Sequence, residues 1–225
     1  MWCVPKLDQE YVERMEEVLE ALNQPLDKHA PVAALDERPV QLLDSVRPDP
    51  AMAPGRVARR DYEYARCGTA NVFCVVEPKA GRHQTYATKN RIGAQFAGAL
   101  KRTASRYPTA TTIHLVVDNL NTHREKSLLD AFGAEQGHRL WERFTVHYTP
   151  KHGNWLNPAE LEASLWSRQC LGRQRVASLI ELRRRTSAWN RWANRSKIKI
   201  DWRFSTADAR RVFHYKTIAN PGSKH

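Results

Sequence analysis

Apolar and polar positions along this chain switch between helical and strand periodicity. Residues 8–22 (DQEYVERMEEVLEAL) carry apolar side chains at helical spacing with acidic residues between them, which predicts an amphipathic helix. Residues 32–35 and 113–117 are short apolar runs, and each predicts a buried strand. Both runs end in an aspartate, Asp36 and Asp118. The two aspartates are therefore expected at strand ends.

The rest of the chain predicts strands that alternate with helices. We expect a loop over 45–62, a strand over 71–77 and a second, returning strand over 82–88. These are followed by a helix over 92–106, a helix around 123–133 and a strand around 143–148. Helices near 158–169 and 176–194 and a basic tail complete the chain. Alternation of this kind indicates the α/β class, with a mixed sheet covered by helices on its faces.

Composition excludes several classes of protein. A chain of 225 residues that is 41% hydrophobic and 27% charged is long enough for one large domain with a packed core. No run approaches the ~18 apolar residues that a membrane span needs. The four cysteines form no C-x-x-C pair, which argues against a structural zinc site and a secreted disulfide scaffold. The N-terminus lacks a secretory signal pattern, so we expect a cytoplasmic protein.

The net charge of +12 lies entirely in the last quarter of the chain. Residues 168–225 contain fifteen Lys or Arg and three acids, whereas residues 1–167 are balanced. Such a basic region favours a polyanionic partner, most commonly nucleic acid, although a solvated charged tail is the alternative. The candidate phosphate contacts lie on the polar faces of the 176–194 helix: Arg183, Arg184, Arg185, Arg191 and Arg195.

Asp36 and Asp118 are candidates for a metal site. In open α/β sheets, ligands bind at the carboxyl ends of the strands. If the two strands are neighbours, the two carboxylates meet there and repel each other, and a divalent cation such as Mg²⁺ or Mn²⁺ would relieve the repulsion. Alternatively, each aspartate merely begins the turn that follows its strand.

A third acid is expected at the start of the helix near 158–169. Asn157 suits the cap position, Pro158 the first helical position, and Glu160 the third. Glu160 can either project into a cleft or fold back onto the cap as in a capping box. Glu162 competes with Glu160 for the role of third acid.

Three segments resemble the catalytic region of bacterial insertion-sequence transposases of the Tc/mariner superfamily. These are residues 32–38 (VAALDER), 116–123 (VVDNLNTH) and 148–166 (YTPKHGNWLNPAELEASLW). The family carries a DDE triad on a ribonuclease H-like fold. By matching motif positions, the resemblance implies that the triad is Asp36, Asp118 and Glu160, and it extends over nearly the whole chain, from about residue 1 to residue 215. His123 is also near the implied site, where it either contacts the scissile phosphate or is satisfied by backbone.

The resemblance further implies metal-dependent phosphoryl transfer. Two Mg²⁺ ions, with Mn²⁺ as a substitute, would lie ~4 Å apart and activate a water or a DNA 3′-hydroxyl. Asp36 would bridge the ions, and Asp118 and Glu160 would hold one each. The implied partners are double-stranded DNA, as transposon ends and target, and a second copy of the chain when active. The implied location is the bacterial cytoplasm, in association with the nucleoid.

Two departures from the family pattern leave alternatives open. Between Asp118 and Glu160 lie 41 residues, more than the commonest spacing in the family. The segment before Asp36 is also expected to be too short for the helix-turn-helix domains of full-length relatives. A truncated, non-catalytic remnant that binds DNA or intact transposase is therefore one alternative, and a general metal-dependent nuclease is another. We expect an N-terminal helix and linker over 1–30, the catalytic core over 31–170, and a basic segment completing the domain over 171–225.

Overall fold

The computed structural model describes residues 7–47, 54–55 and 61–215. In chain order its elements are α1 (Gln9–Asn23), β1 (Val32–Ser45), β2 (Tyr64–Glu77), β3 (Arg82–Thr88), α2 (Gly93–Arg106), β4 (Ile113–Val117), α3 (Glu125–Phe132), α4 (Ala134–Trp141), β5 (Phe144–Tyr148), a 3₁₀ turn (Asn154–Leu156), α5 (Ala159–Trp166), a π-helical segment (Ser167–Leu171), α6 (Leu179–Ser196) and α7 (Thr206–Phe213). Among these helices, none combines the length and the hydropathy that a membrane crossing requires.

The five strands form one mixed sheet in the order β3-β2-β1-β4-β5. β1 pairs antiparallel with β2, and β2 with β3. β4 runs parallel to β1, and β5 parallel to β4. The prediction of an α/β fold with a mixed sheet is confirmed.

Helices cover both faces of the sheet, as the alternation of side chains along each strand requires. On one face, here called the back face, Phe73 and Leu115 pack against Phe96 of α2 and Leu128 of α3. The opposite, front face carries α1, α5, α6 and α7. Met15 of α1, for example, is fully buried in the front-face core.

The first two strands are longer than the apolar runs predict. The apolar run predicts β1 over 32–35, and the strand extends to Ser45 because its second half alternates buried and exposed positions against β2. Val40 and Leu42 are buried while the residues between and before them face solvent. The charged segment after Leu35 conceals this alternation in the sequence. The loop expected over 45–62 falls largely outside the described residues.

The segment predicted as a basic tail contains a further helix in the described residues. α7 begins at a capping box between Ser205 and Asp208. Its Arg210 binds the Glu16 carboxylate of α1 through two nitrogens, at 2.8 and 3.1 Å, and the Tyr215 hydroxyl donates to the same carboxylate at 3.0 Å. Some of the C-terminal positive charge is thus used to attach α7 to α1.

α6 protects the exposed edge of the sheet with polar side chains. The Asn190 side chain accepts from the backbone N–H of Thr85 at 3.0 Å and donates to its carbonyl at 2.8 Å. One turn later, Asn194 makes the same pair of bonds with His83. Unpaired edges invite association with other strands. These asparagines pair the backbone N–H and carbonyl groups of His83 and Thr85 on the edge of β3, and they fix α6 beside that strand.

Candidate active site

Asp36 and Asp118 lie side by side because β1 and β4 are parallel neighbours. Ala34 is the register partner of Val116; Asp36 lies two residues further along β1, and Asp118 follows the last residue of β4. A spacing of two places Asp36 on the side of Ala34, which is the front face. The condition on which the sequence-based metal site depends, that the two strands are neighbours, is therefore met.

Asn157 connects the start of α5 to the strand that carries Asp36. Its side-chain amide is buried and donates to the carbonyl of Leu35 at 2.8 Å, while its Oδ1 accepts from the N–H of Ala159 at 3.0 Å. Glu160 is the next residue of the helix and is exposed. In the described part of the chain no hydrogen bond joins the Glu160 carboxylate to the cap, so the capping-box alternative is not observed.

Negative charge is concentrated around Asp36. Burial of the carboxyl, followed by repulsion from Glu160, raises the pKa of Asp36 to about 7, and Glu37 and Asp118 add to the effect. The backbone N–H of Glu37 donates to Asp36 Oδ1 at 2.7 Å, and this bond offsets only part of the increase in the pKa of Asp36. Glu160 and Asp118 are therefore both close enough to Asp36 to affect its ionisation, Glu160 more strongly.

Glu162, the competitor for the third acid, points elsewhere. Its two carboxylate oxygens each lie 2.9 Å from Nδ1 of His83, and both side chains are fully buried. The other ring nitrogen of His83 lies 2.9 Å from the carbonyl of Ile198. Because both nitrogens face acceptors, both carry protons, and His83 and Glu162 form a buried ion pair. Glu162 is thus part of the packing between α5 and β3.

His123 and Glu37 form a second layer behind the aspartates. His123 is fully buried and donates from Nε2 to Glu37 Oε1 at 2.7 Å. Its Nδ1 lies 3.1 Å from the Asp118 carbonyl and 2.5 Å from Asp118 Oδ1. Although burial opposes protonation, these contacts with Asp118 and Glu37 raise the pKa of His123 to about 9. Of the two alternatives for His123, backbone contact is observed, and its burial keeps it from solvent.

Glu37 is a site residue that the sequence motifs do not reveal. The side chain of Glu37 lies on the opposite side of β1 from its neighbour Asp36, where it is 2% exposed. Strand alternation could have placed it behind the aspartates, but its partner His123 is 86 residues away in the chain.

One set of side chains in the described part of the chain brings three candidate metal ligands together. Glu37, Asp118 and His123 place one ligand atom each within 4.8 Å of one another. In that set, however, both nitrogens of His123 are already used as donors to the other two residues. Asp36 and Glu160 make no ion pair among the described residues, and with Asp118 they offer only carboxylate oxygens. Such hard donors are the type that Mg²⁺ and Mn²⁺ prefer.

The candidate DNA-binding arginines of α6 separate into three groups. Arg183 and Arg191 line a cleft between α6 and α2. Arg185 is bound to the Glu181 carboxylate at 2.6 Å and to Gln174 at 2.6 Å. Arg184 and Arg195 are exposed and do not line that cleft.

A family model described as DDE superfamily endonuclease matches residues 31–183. The chain belongs to the DDE superfamily endonucleases. The matched segment contains Asp36, Asp118 and Glu160, together with β1–β5 and α5. No curated protein matches the sequence.

Solved structures of the Mos1 transposase share the fold of this DDE endonuclease. The Mos1 mariner paired-end complex with Mn is 16% identical, with a TM-score of 0.52 over 89% of this chain and 62% of that chain. The Mos1 transposase paired-end complex with left transposon end is 15% identical, with a TM-score of 0.54 over 93% and 62%. The Mos1 strand transfer complex is 15% identical, with a TM-score of 0.54 over 89% and 61%. The predicted ribonuclease H-like fold is confirmed, and the chain spans about three fifths of the length of these structures.

Proposed function

We propose that this chain is the catalytic domain of a Tc/mariner-type transposase, which cleaves DNA at the ends of a mobile element and joins those ends to a target. The observation that carries the proposal is the position of Asp36 and Asp118 at neighbouring parallel strands, with Glu160 acting on Asp36 and the competing Glu162 bound to His83 instead. The Mos1 structures with the same fold include paired-end and strand transfer complexes, which supports this choice within the superfamily.

The three carboxylates are the proposed ligands of two divalent cations, Mg²⁺ or Mn²⁺. Bound there, the ions would supply charge neutralisation at the phosphodiester and activation of a water or a DNA 3′-hydroxyl for in-line attack. One Mos1 paired-end complex is with Mn and another is with Mg, which supports this choice of metal.

The remaining site residues position these carboxylates. Asn157 sets the separation between β1 and the first turn of α5, and hence between Asp36 and Glu160. His123 holds Asp118 from behind, and Glu37 in turn holds His123. Prior positioning of this kind lowers the reorganisation that a reaction requires, because the groups already stand where charge develops.

The proposed partners are double-stranded DNA and a second copy of the chain. The joining reaction needs two ends in one assembly, so we propose a homodimer when the protein is active. The excess of Lys and Arg over acids in residues 168–225 supports a polyanionic partner.

Nicking of supercoiled plasmid by the purified chain tests the proposal. We expect nicking with Mn²⁺, none with EDTA, and none with Asp36→Asn. The matched control is Asp44→Asn, which makes the same change on an exposed residue of the same strand and should nick like wild type. Joining of a pre-cut end to the plasmid would identify a transposase, whereas nicking without joining would indicate a general nuclease. A folded chain that binds DNA but neither nicks nor joins would indicate the non-catalytic remnant.

A further inference from the structure

A large cleft lies at the edge of the sheet, and none of the three acids lines it. Its volume is about 1140 Å³, and it runs between α2 and α6 across the edge strand β3. The segment that follows α6 closes one end. None of the residues that line the cleft is an aspartate or a glutamate.

Seven cationic side chains from four parts of the chain line this cleft. They are Arg82 of β3, Arg102 and Arg106 of α2, Arg183 and Arg191 of α6, and Lys197 and Lys199 beyond α6. Arg82 pairs with Glu77 at 3.2 Å. Within the described residues, the other six make no ion pair with a carboxylate. Six cations that face a common space without compensation repel each other, and a polyanion in the cleft would relieve this repulsion.

Several of these side chains are fixed by contacts that leave some of their N–H donors unused. The Arg102 guanidinium lies over the Tyr86 ring at 4.9 Å. Arg183 donates its Nε proton to the Ala87 carbonyl at 3.1 Å, and Arg191 donates from one terminal nitrogen to the Ser187 hydroxyl at 2.9 Å. A guanidinium has five N–H donors, so each retains donors directed away from these contacts. Fixed guanidinium groups suit phosphate oxygens.

The cleft is level with the acids but separated from them. Thr85, which lines it, is the register partner of Cys74, and Cys74 is the partner of Asp36. Two interstrand spacings place the edge strand about 10 Å from Asp36. α5 lies between, because its Glu162 contacts His83 of the edge strand. DNA in this cleft would therefore make contacts distinct from those at the acids.

We propose that this cleft binds the phosphate backbone of duplex DNA, without sequence recognition, as a second DNA site next to the active site. The identity of the polyanion rests on the proposed function. The evidence for the site itself is the acid-free lining and the six uncompensated cations.

The test compares two triple variants with the same loss of charge. The cleft variant carries Arg102→Gln, Arg106→Gln and Lys199→Gln. The matched control carries Lys28→Gln, Lys101→Gln and Lys126→Gln, which are exposed residues outside the cleft. All six side chains are exposed, so both variants should melt at the wild-type temperature.

Binding of a fluorescent random-sequence duplex is measured by anisotropy in EDTA, at salt concentrations between about 50 and 200 mM. Each lost phosphate contact reduces the steepness of the plot of log K against log salt by ~0.9. The plot for the cleft variant should therefore be less steep than that for wild type by about 2.7. Its Kd at about 0.1 M salt should rise on the order of 100-fold, whereas the control should remain near wild type.

Three results would overturn the proposal. Equal weakening in both variants would mean that binding follows total charge, and unchanged binding in the cleft variant would mean that the cleft is not used. Displacement of the duplex by poly-glutamate as effectively as by unlabelled DNA would indicate an acidic protein partner. The binding assay needs neither metal nor cleavage, so it can be interpreted even if the chain does not nick DNA. Likewise, failure of the cleft to bind DNA would not affect the nicking test of the proposed function.

Discussion

Replacing Glu162 by Gln separates a structural glutamate from the proposed catalytic one, Glu160, two residues earlier in the same helix. Both Glu162 oxygens lie 2.9 Å from the protonated Nδ1 of His83, and Nε2 of His83 is held by the Ile198 carbonyl. The substituted amide keeps the shape of the side chain but removes its charge. The buried imidazolium then loses its counter-ion and must either release a proton or remain unbalanced.

The expected loss of stability follows from this contact. A buried hydrogen bond to a charged group contributes ~1.5–3 kcal/mol, so we expect Glu162→Gln to lower the free energy of unfolding by about 2 kcal/mol. At ~2–4 °C per kcal/mol for a domain of this size, the melting temperature should fall by about 4–8 °C. Circular dichroism melts in EDTA measure this shift, and Mn²⁺-dependent plasmid nicking below the melt should persist.

The same variant has a defined pH dependence. Burial opposes a charged ring, yet the bond with Glu162 raises the pKa of His83, while burial raises the pKa of Glu162. A raised histidine pKa stabilises the fold below its ordinary value of 6.5, and this contribution is lost as pH rises through the folded-state pKa. The melting difference between wild type and Glu162→Gln should therefore narrow as pH rises through the raised pKa of His83, and also as pH falls through the raised pKa of Glu162. A variant that melts like wild type but no longer nicks would refute the assignment of the third acid.

Three further predictions concern the site itself. Glu160→Gln, on an exposed side chain, should abolish nicking and leave the melting temperature unchanged; persistent nicking would remove Glu160 from the site. Asn157→Ala deletes two hydrogen bonds worth ~1 kcal/mol each, so the melt should fall by about 4–8 °C, and nicking measured well below the melt should slow. Glu37→Gln weakens the support of His123 and should lower the Mn²⁺-dependent nicking rate about 10–100-fold, the usual effect of altering a residue behind a metal ligand; a wild-type rate would show that Glu37 only fills space.

The paired aspartates could be predicted from sequence because the signal is local. An apolar run that ends in an acid indicates both the strand and the position of the acid at its end, and parallel pairing of β1 with β4 brings the two ends together. The full length of β1 could not be predicted in the same way, since its second half is stabilised by pairing with β2 and not by its own hydrophobicity.

The choice between Glu160 and Glu162 depends on contacts that local spacing does not contain. Both lie in the first turn of α5, and helical periodicity alone gives no preference. His83, which binds Glu162, is 79 residues away and belongs to β3.

Most residues of the basic cleft also could not be predicted from local sequence patterns. Only two of its seven cations, Arg183 and Arg191, are among the arginines that the C-terminal charge excess predicts as phosphate contacts. Arg102 and Arg106 come from α2, which approaches α6 only through the edge strand between them.

Asp36, Asp118 and Glu160 are the proposed ligands of the divalent cations. An anomalous difference map from crystals of this chain soaked with Mn²⁺ tests this assignment most directly. We expect manganese in contact with carboxylate oxygens of all three residues, at a distance of about 2.2 Å. Manganese between Glu37, Asp118 and His123, or no bound manganese in well-ordered crystals, would contradict it.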